Sequence, residues 1–580
     1  MVNLGALLHA RAGRTGQPDD LVRARARLRE GWQTRSAPVE DRIEAAHGWA
    51  RSAVQAADWA DATLAYAAAI ELLGPAAARA LPRTDQEHRL AGLTGFGSAA
   101  AACALNAGED WQAVALWEQG RGVLLGRNLD ARTDLSRLAE VRDDLATEYT
   151  TLSTALEAAE LPMSDLPFEI DPLVGAARPA EPGRSAHRVA RNRAQAEQLD
   201  ALVEKVRALP GFDRFLRPPT PDELRSAAAA GTVAVINVND LRSDALLVGE
   251  DGVEVVRLPD LDPQALRTRV GLFLAATRDA EHSRAESRQN ERELTTVLEW
   301  LWDVVAEPIL SHLRLTDATT TAPTRRLWWC PSGLLSLLPL HAAGYHQRHD
   351  TVLDHVQSSY TPTLRALDHS RRARHHAPAW PPGVLAVSMP STPGQDALPT
   401  ADREITALQA LLGSSIEVLS GPAATRDAVT SALPGYDWAH VAGHATADLA
   451  NPSYSRILLS DHQFAPLTVA HLSRQRLDTE LAFLSACQTS VGSTRLPDEA
   501  IHLASALQLA GYRHVIATLW SVRSVHAATI ATGFYTALKD AADHGRLLQP
   551  AAALHQSVLE LRDRFPSRPS RWAAHIHAGA

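Results

Sequence analysis

The chain has 580 residues, a formal net charge of −10 at pH 7 and a pI near 6.2, with only three cysteines. An acidic net charge does not indicate a nucleic-acid-binding surface. The sequence also contains neither the Walker-type motif G-x-x-x-x-G-K-[ST] nor a G-x-G-x-x-G motif after a predicted strand. Three scattered cysteines exclude a disulfide framework and a cysteine-based zinc site. The weakly signal-like start and the lack of a long apolar run predict a cytoplasmic protein without a membrane span. We expect no metal and no cofactor.

The first part of the chain has a helical composition. Residues 18 to about 160 are rich in Ala, Leu, Arg and Glu at helical spacing and almost free of β-branched runs. Two stretches are alike: DWADATLAYAAAIELL from Asp58 and DWQAVALWEQGRGVLL from Asp110. Such spacing of Trp, Tyr and Ala is typical of tetratricopeptide repeats, although any stack of helical hairpins needs similar residues. We predict a TPR-like domain over residues 1–165 that binds a partner or keeps the rest of the protein idle.

A Pro-rich break and a change of pattern follow. The segment from Asp165 to Gly183, with the helix after it, predicts a hinge and linker over residues 166–215. From Gly231 the runs TVAVINV, DALLVGEDGVEVVRL and RLWWC predict strands, the second of them a hairpin turning at Asp-Gly. Helical patterns lie near residues 262–278 and 290–313. Residues 216–376 are therefore expected to form an α/β lobe.

The remaining residues, 377–580, alternate strand and helix patterns. The candidate strands are VLAVSMP, SIEVL, WAHVAGH, RILLSD, LAFLSA and HVIATLW. Such alternation predicts a mostly parallel sheet covered on both faces. The predicted fold class is thus an N-terminal α-helical array followed by an α/β domain.

Two of these apolar runs each stop at a reactive residue. WAHVAGH ends at His444, and LAFLSA is followed at once by Cys487, 43 residues later. The carboxyl ends of parallel strands are where α/β proteins bind ligands and perform chemistry. A thiol beside an imidazole there can ionise near neutral pH and act as a nucleophile. With 24 histidines in the chain, an isolated one would be an ordinary core or surface residue, so the joint placement of the pair carries the argument.

The sequence around His444 and Cys487 resembles that of the CHAT family. The matching elements are H-x-A-x-H at His440 to His444, S-x-x-L-L-x-D ending at Asp461, L-S-A-C-Q-T around Cys487, Asp498-Glu499, Ala510-Gly511 and Leu519-Trp520. Further upstream, CPSGLLSLLPLHAAG and SSYTPTLRAL resemble the amino-terminal part of that domain, so the resemblance covers roughly residues 215 to 560. CHAT domains belong to the caspase-like clan of cysteine peptidases, alongside separases and gingipains, and often accompany tetratricopeptide repeats. The resemblance implies a caspase-like fold whose first lobe, residues 216–376, lacks catalytic residues and packs beside the catalytic one.

The resemblance also implies roles for individual residues. Cys487 would be the nucleophile and His444 the general base, and no third catalytic member is required. The backbone N–H groups of Ala445 and Cys487 would form the oxyanion hole. Gly443 would let the main chain approach closely there, or would simply be a turn glycine at a strand end.

The substrate pocket is expected near Asp461, Trp520 and Ser521. Relatives continue L-W-P-V-x-D, whereas this chain reads L-W-S-V-R-S from Leu519, with Ser524 in place of Asp and a new Arg523. This departure weakens any expectation of cleavage after basic residues. Asp461 and Asp498 are the remaining candidates for the acid that Ser524 replaces, but a strand-end position and a helix cap are the simpler interpretations.

We therefore predict a regulated cysteine endopeptidase whose helical repeats bind a partner or regulator, in bacterial signalling, defence or cell death. Its partners would be a protein substrate and a protein regulator. The alternative is an idle CHAT adaptor that serves as a scaffold, which the retention of both His444 and Cys487 disfavours.

Overall fold

The structure, a computed structural model, describes residues 2–160, 168–170, 177–179, 182–278, 284–316, 325–372, 380–486, 489, 496 and 498–580. The predicted hinge between Asp165 and Gly183 lies largely outside the described residues, and so does Cys487.

Helices dominate the first part of the chain and also cover the sheet. The helices are α1 Val2–Thr15, α2 Pro18–Gln33, α3 Val39–Gln55, α4 Trp59–Ile70, α5 Leu73–Ala76, α6 Arg83–Ala91, α7 Phe96–Ala107, α8 Asp110–Gln119, α9 Val123–Glu160, α10 Pro182–Arg207, α11 Pro221–Ser226, α12 Pro263–Thr277, α13 Arg284–Leu301, α14 Glu307–His312, α15 Val352–His355, α16 Leu364–Arg372, α17 Pro399–Leu412, α18 Arg426–Ala432, α19 Val469–Leu472, α20 Leu503–Ala510, α21 Ser524–Asp543 and α22 Pro550–Arg564.

The strands lie mainly beyond residue 230. They are β1 Phe168–Ile170, β2 Ala177–Pro179, β3 Val233–Asn237, β4 Asp244–Val248, β5 Val253–Arg257, β6 Arg325–Pro331, β7 Gly344–Tyr345, β8 Asp350–Thr351, β9 Val356–Tyr360, β10 Val384–Ser388, β11 Ile416–Ser420, β12 Trp438–Ala442, β13 His444–Thr446, β14 Arg456–Leu458, β15 Leu467–Thr468, β16 Thr479–Ser485, β17 Tyr512–Thr518 and β18 His575–Gly579.

The chain divides into two compact units. The helical unit comprises Met1–Ala57, Leu64–Thr94 and Val123–Pro218. The sheet unit comprises Asp58–Thr63, Gly95–Gly122 and Pro219–Ala580. The predicted order of a helical region followed by an α/β domain is confirmed.

In the helical unit, α9 and α10 share an apolar cluster. Leu138, Tyr149, Leu199 and Val206 are buried in it, and the ring of Tyr149 meets Phe215 edge to face at a centroid distance of 6.0 Å. These side chains recur at helical spacing, so each helix buries one stripe against the other. The repeat character of this unit stays a prediction.

The sheet unit is built on one continuous sheet of 11 strands in the order β11-β10-β12-β16-β17-β18-β9-β6-β3-β4-β5. Neighbours pair in parallel except for β17 with β18, β3 with β4, and β4 with β5. Residues of β3, β4, β10 and β12 are buried throughout, which is why these strands read as mostly apolar runs with one polar residue each. The mostly parallel sheet is confirmed.

Strands from residues 216–376 and strands from residues 377–580 form the two halves of that single sheet, and the last strand of the chain joins them. β18 runs antiparallel to β17, with His575 opposite Thr518, and parallel to β9, with Ala578 opposite Tyr360. The indole N–H of Trp328 donates to the carbonyl of Gly579 at 2.9 Å, which ties β6 to the same strand. Nothing in the sequence had predicted β18.

Helices α7 and α8 belong to the sheet unit. Ala104, Val114 and Trp117 are buried in one cluster with Val235 of β3 and Trp328 of β6. A second connection comes from Glu118, whose fully buried carboxylate accepts hydrogen bonds from the backbone N–H groups of Leu364 and Arg365 at 2.9 and 3.0 Å. Glu118 therefore caps α16 from a distant part of the chain, and its negative charge suits a helix N-terminus.

The described part of the chain was searched for membrane-spanning helices and for clusters of metal-binding side chains. Among these residues, no single helix is long and apolar enough to cross a membrane, although one bent pair, Arg83–Ala91 with Phe96–Ala107, reaches that length and apolarity when joined. Within the same ranges, no group of three or more His, Cys, Asp or Glu side chains is arranged to hold a metal ion.

Candidate functional site

The register of β12 and β16 aligns the two predicted catalytic positions. These neighbouring strands run parallel, and their last paired residues are Ala442 and Ser485. His444 and Cys487 each follow two residues later in the chain. Parallel strands lie roughly 5 Å apart, so the sheet delivers both chain segments to the same edge at adjacent positions. Cys487 itself lies outside the described residues.

His444 is half-buried at the start of β13, and its imidazole is held by a backbone carbonyl. Its Nε2–H donates to the carbonyl oxygen of Asp396 at 2.9 Å, across 48 residues of chain. Because a carbonyl only accepts, Nε2 carries a proton in this bond, and in the neutral ring Nδ1 is then the proton acceptor. A ring in that state has the protonation required of a general base.

The segment on either side of Cys487 is anchored to the end of β17. The hydroxyl of Thr518 donates to the carbonyl of Ala486 at 2.7 Å, and the N–H of Thr518 donates to the hydroxyl of Thr489 at 2.9 Å. Thr489 and Thr518 are buried, at 0% and 2% exposure. Thr518 of β17 thus holds both Ala486, the residue before Cys487, and Thr489, the second residue after it. Neither threonine had been assigned a role, although Thr489 belongs to the L-S-A-C-Q-T motif.

Gly443 joins β12 to β13 where two chain segments pass closely. A Cβ added at this glycine would lie 3.1 Å from the Cβ of Met389, the residue that follows β10. That is closer than side-chain carbons normally approach, so a larger residue would push His444 or Met389 out of place. The observation favours close approach as the reason for this glycine.

A buried polar group lies beneath the same strand ends. Glu404 of α17 accepts a hydrogen bond from the hydroxyl of Ser485 at 3.0 Å, and its other oxygen lies 2.9 Å from Nε2 of His440. The hydroxyl of Tyr535 is 3.2 Å from Nδ1 of His440. His440, Glu404 and Tyr535 are 0–4% exposed, and burial raises the pKa of Tyr535 well above its ordinary value. Glu404, Ser485 and Gly443 together line a cavity of about 40 Å³ at these strand ends.

The structure places the oxyanion-hole and pocket candidates in different surroundings. Ala445 lies in β13 opposite Ile457 of β14, in a small three-stranded sheet of β13, β14 and β15. The carboxylate of Asp461 accepts the N–H of Arg426 with both oxygens at 3.1 Å, so it caps α18. Trp520 and Ser521 follow β17 and line a large groove.

Asp498 has a role that no sequence pattern indicated. Helix α20 begins at Leu503 with His502 at its N-cap, so Asp498 does not cap it. The carboxylate of Asp498 instead accepts the N–H of Gly95, at the N-cap of α7, and its other oxygen is 3.8 Å from Nε of Arg121. This turn, just after the Cys487 segment, is therefore tied to α7 and to the end of α8.

The other two cysteines are structural. Cys103 in α7 and Cys330 in β6 are free thiols with 0% exposure. Burial raises the pKa of Cys103 to about 12 and that of Cys330 further still. Both are inert thiols at neutral pH.

Comparison with known proteins identifies the domain. Residues 295–580 match the family model described as the CHAT domain, which starts later than the expected resemblance and runs to the end of the chain, β18 included. No curated protein sequence matches the chain significantly.

Solved structures add weaker likenesses. The separase of the separase-securin complex from Saccharomyces cerevisiae shares 9% identity over 97% of this chain and 52% of its own, at a TM-score of 0.47, so this chain spans about half the length of that protein. The Arg-specific cysteine proteinase gingipain R shares 10% identity over 48% of this chain and 68% of its own, at a TM-score of 0.35. A complex of the pro- and mature domains of RgpB from Porphyromonas gingivalis shares 11% identity over 55% of this chain and 75% of its own, at a TM-score of 0.34. The assignment rests on the family model: this chain carries a CHAT domain over residues 295–580.

Proposed function

We propose that the chain is a regulated cysteine endopeptidase in which Cys487 is the nucleophile and His444 the general base. The observation that carries the proposal is the register of β12 and β16. In it Ala442 pairs with Ser485, and these residues stand two positions before His444 and Cys487. The bond from Nε2 of His444 to Asp396 supports it, because it leaves Nδ1 to take up the thiol proton. A CHAT domain over this part of the chain is consistent with peptidase chemistry.

The chemistry follows from these groups. His444 accepts the thiol proton, and the Cys487 thiolate attacks the carbonyl carbon of the scissile peptide bond. The tetrahedral oxyanion is stabilised by the backbone N–H groups of Ala445 and Cys487. The protonated imidazole then gives its proton to the leaving amine, and water, deprotonated by the same imidazole, releases the acyl group from the sulfur.

In this proposal the surroundings of the dyad have supporting roles. Thr518 positions the nucleophile segment through Ala486 and Thr489, and it does not contact substrate. Trp520 and Ser521, which line the large groove after β17, would border the substrate, whereas the carboxylate of Asp461 already accepts the backbone N–H of Arg426.

The biological setting is part of the proposal. The helical unit binds a protein partner or regulator, and the protein acts in the bacterial cytoplasm, in signalling, defence or cell death. The peptidase cuts a specific protein, since a large helical unit in the same chain as a hydrolytic domain suits recognition of a macromolecule better than that of a small ester or amide.

Cleavage is tested with protein substrates of many sequences at once. A denatured bacterial proteome is incubated with the wild-type chain, with Cys487→Ser and with His444→Ala, and new amino termini are identified by mass spectrometry. We expect new termini with a shared sequence context in the wild-type sample alone. Termini that appear equally with Cys487→Ser would come from a contaminant, and their absence from all samples, together with an unreactive Cys487, would favour the scaffold adaptor.

A further inference from the structure

A large groove opens at the sheet edge that carries the candidate dyad. It has a volume of about 1170 Å³ and lies between the end of α12, helix α13, the segment after β17 and the loop before β18. Trp520 and Ser521 form the wall nearest to the strand ends. That volume accommodates several residues of an extended peptide and exceeds the range usual for small-molecule pockets.

The groove is strongly basic on a chain that is acidic overall. Whereas the whole chain has a formal charge of −10, the described lining of the groove contains one acidic residue, Glu291. Against it stand five arginines: Arg288, Arg292, Arg523, Arg568 and Arg571. By the 4.0 Å criterion for an ion pair, none of the five guanidinium groups is paired with a carboxylate of a described residue.

The single acid is already engaged within the wall. Glu291 accepts hydrogen bonds from the hydroxyl and the N–H of Ser570 at 2.5 and 3.2 Å, and burial raises its pKa. The pKa of Arg571 is lowered, first by burial and then by repulsion from Arg568, while attraction to Glu291 opposes this and Arg523 adds to it. Five arginines therefore face one partly offsetting acid, which favours an anion supplied from outside.

The groove begins one strand away from the position of the nucleophile segment. Trp520 follows the end of β17 by two residues, as Cys487 follows the end of β16, and β17 pairs in parallel with β16. One strand spacing is roughly 5 Å, so a peptide lying across these strand ends extends directly into the groove.

We propose that this groove binds an acidic segment of the protein substrate, so that the enzyme selects sites flanked by Asp or Glu side chains. The inference names a substrate class and rests on the proposed function. Carboxylates suit it because arginine binds them in a planar, often bidentate geometry.

An acidic peptide fits better than a nucleic acid. Proteins that hold single strands combine basic charge with exposed aromatic faces on which bases stack. The described lining holds two aromatic rings. Trp520 is 3% exposed and packs edge to face on Phe273 at 5.4 Å, and the half-buried His526 packs edge to face on Phe565 at 5.8 Å. The groove thus has the charge for a polyanion, whereas both of its rings are already packed against rings of the protein.

Binding is measured without cleavage, so that the inference and the proposed function can fail separately. Full-length Cys487→Ser is titrated into a fluorescein-labelled peptide of alternating Gly and Glu, and fluorescence anisotropy gives the Kd. The neutral control is the same peptide with Gln in place of Glu. The test variant is Arg523→Gln with Arg568→Gln, both exposed in the groove, and the matched control is Arg267→Gln, an exposed arginine on α12 outside it.

We expect the Glu peptide to bind at least about tenfold more tightly than the Gln peptide at low salt, and this preference to weaken as salt screens the charges. The double variant should lose most of the preference, whereas Arg267→Gln should keep it. Equal binding of both peptides, an equal loss in Arg267→Gln, or a single-stranded oligonucleotide that binds more tightly than the Glu peptide would each overturn the inference. Acid-selective binding without any cleavage by the wild-type chain would overturn only the proposed function.

Discussion

The carboxylate of Asp498 accepts a hydrogen bond of 2.7 Å from the backbone N–H of Gly95, 403 residues away in the chain. Arg121, 2% exposed, lies on the other side of the same carboxylate. Because these groups are largely shielded from water, Asp498→Ala should lower the free energy of unfolding by about 1–3 kcal/mol, and Asp498→Asn, which can still accept the bond, by less. Urea unfolding measures both.

Asp427 provides the control for that change. It is 81% exposed and pairs with its neighbour Arg426 at the surface, so Asp427→Ala should change stability by no more than about 0.5 kcal/mol. If Asp498→Ala is as mild as Asp427→Ala, the bond to Gly95 does not hold the turn after the Cys487 segment.

Thr518 is expected to affect the nucleophile segment without touching substrate. Thr518→Val keeps the shape but removes the hydroxyl that donates to the carbonyl of Ala486. Leaving that buried carbonyl without its donor should cost about 1–3 kcal/mol of unfolding free energy and lower the rate of peptide cleavage with little change in KM. Thr518→Ser retains the hydroxyl and should restore the rate. A Val variant with wild-type kcat would show that this anchoring is unimportant.

Gly443 is expected to tolerate no side chain. In Gly443→Ala, the new Cβ would lie 3.1 Å from the Cβ of Met389, so either Met389 or the segment that carries the adjacent His444 has to shift. We expect cleavage to slow by about tenfold, which corresponds to a loss of about 1.4 kcal/mol in transition-state stabilisation. Gly435→Ala is the matched control, since a Cβ there meets nothing within 4 Å. Equal effects of the two substitutions would refute the steric argument.

Stability should fall steeply below neutral pH because several histidines are buried in the neutral form. Burial lowers the pKa of His346, His502, His555 and His575 to about 4. Their stabilising contribution is complete above the unfolded pKa of about 6.5 and is lost as the pH falls from there towards 4, by up to about 1.4 kcal/mol per pH unit for each group. Urea unfolding between those pH values measures the slope.

His575 gives this prediction a specific variant. Neither of its ring nitrogens has a hydrogen-bond partner among the described residues, and it is 1% exposed. His575→Phe should therefore reduce the slope by about one proton, while His544→Gln, at a site 66% exposed, should leave it unchanged. An unchanged slope in His575→Phe would mean that this histidine does not titrate on unfolding.

The sequence predicted the elements whose own residues carry the signal. Central parallel strands are buried on both faces, so β10, β12, β16 and β17 read as apolar runs, and the ends of β12 and β16 point to His444 and Cys487. The Asp-Gly turn likewise predicted the pairing of β4 with β5.

Other features depend on contacts between distant parts of the chain. β18 has the composition His-Ile-His-Ala-Gly, without the length or branching of a typical strand, and it forms because β17 and β9 offer open edges on either side. The bond from His444 to the carbonyl of Asp396 uses a backbone group, which any residue possesses and no motif marks. Asp498 caps α7 from 403 residues away in the chain, and no sequence pattern connects positions so far apart.

The central claim is that His444 activates Cys487, and the pH dependence of thiol alkylation tests it most directly. Iodoacetamide labelling of each cysteine is followed by mass spectrometry in the wild-type chain and in His444→Ala. Cys103 and Cys330, both fully buried, report any unfolding in the same sample. The account predicts that Cys487 reacts with an apparent pKa well below the ordinary thiol value of about 8.5, and that His444→Ala removes this advantage. A Cys487 with an ordinary pKa in both proteins would contradict it.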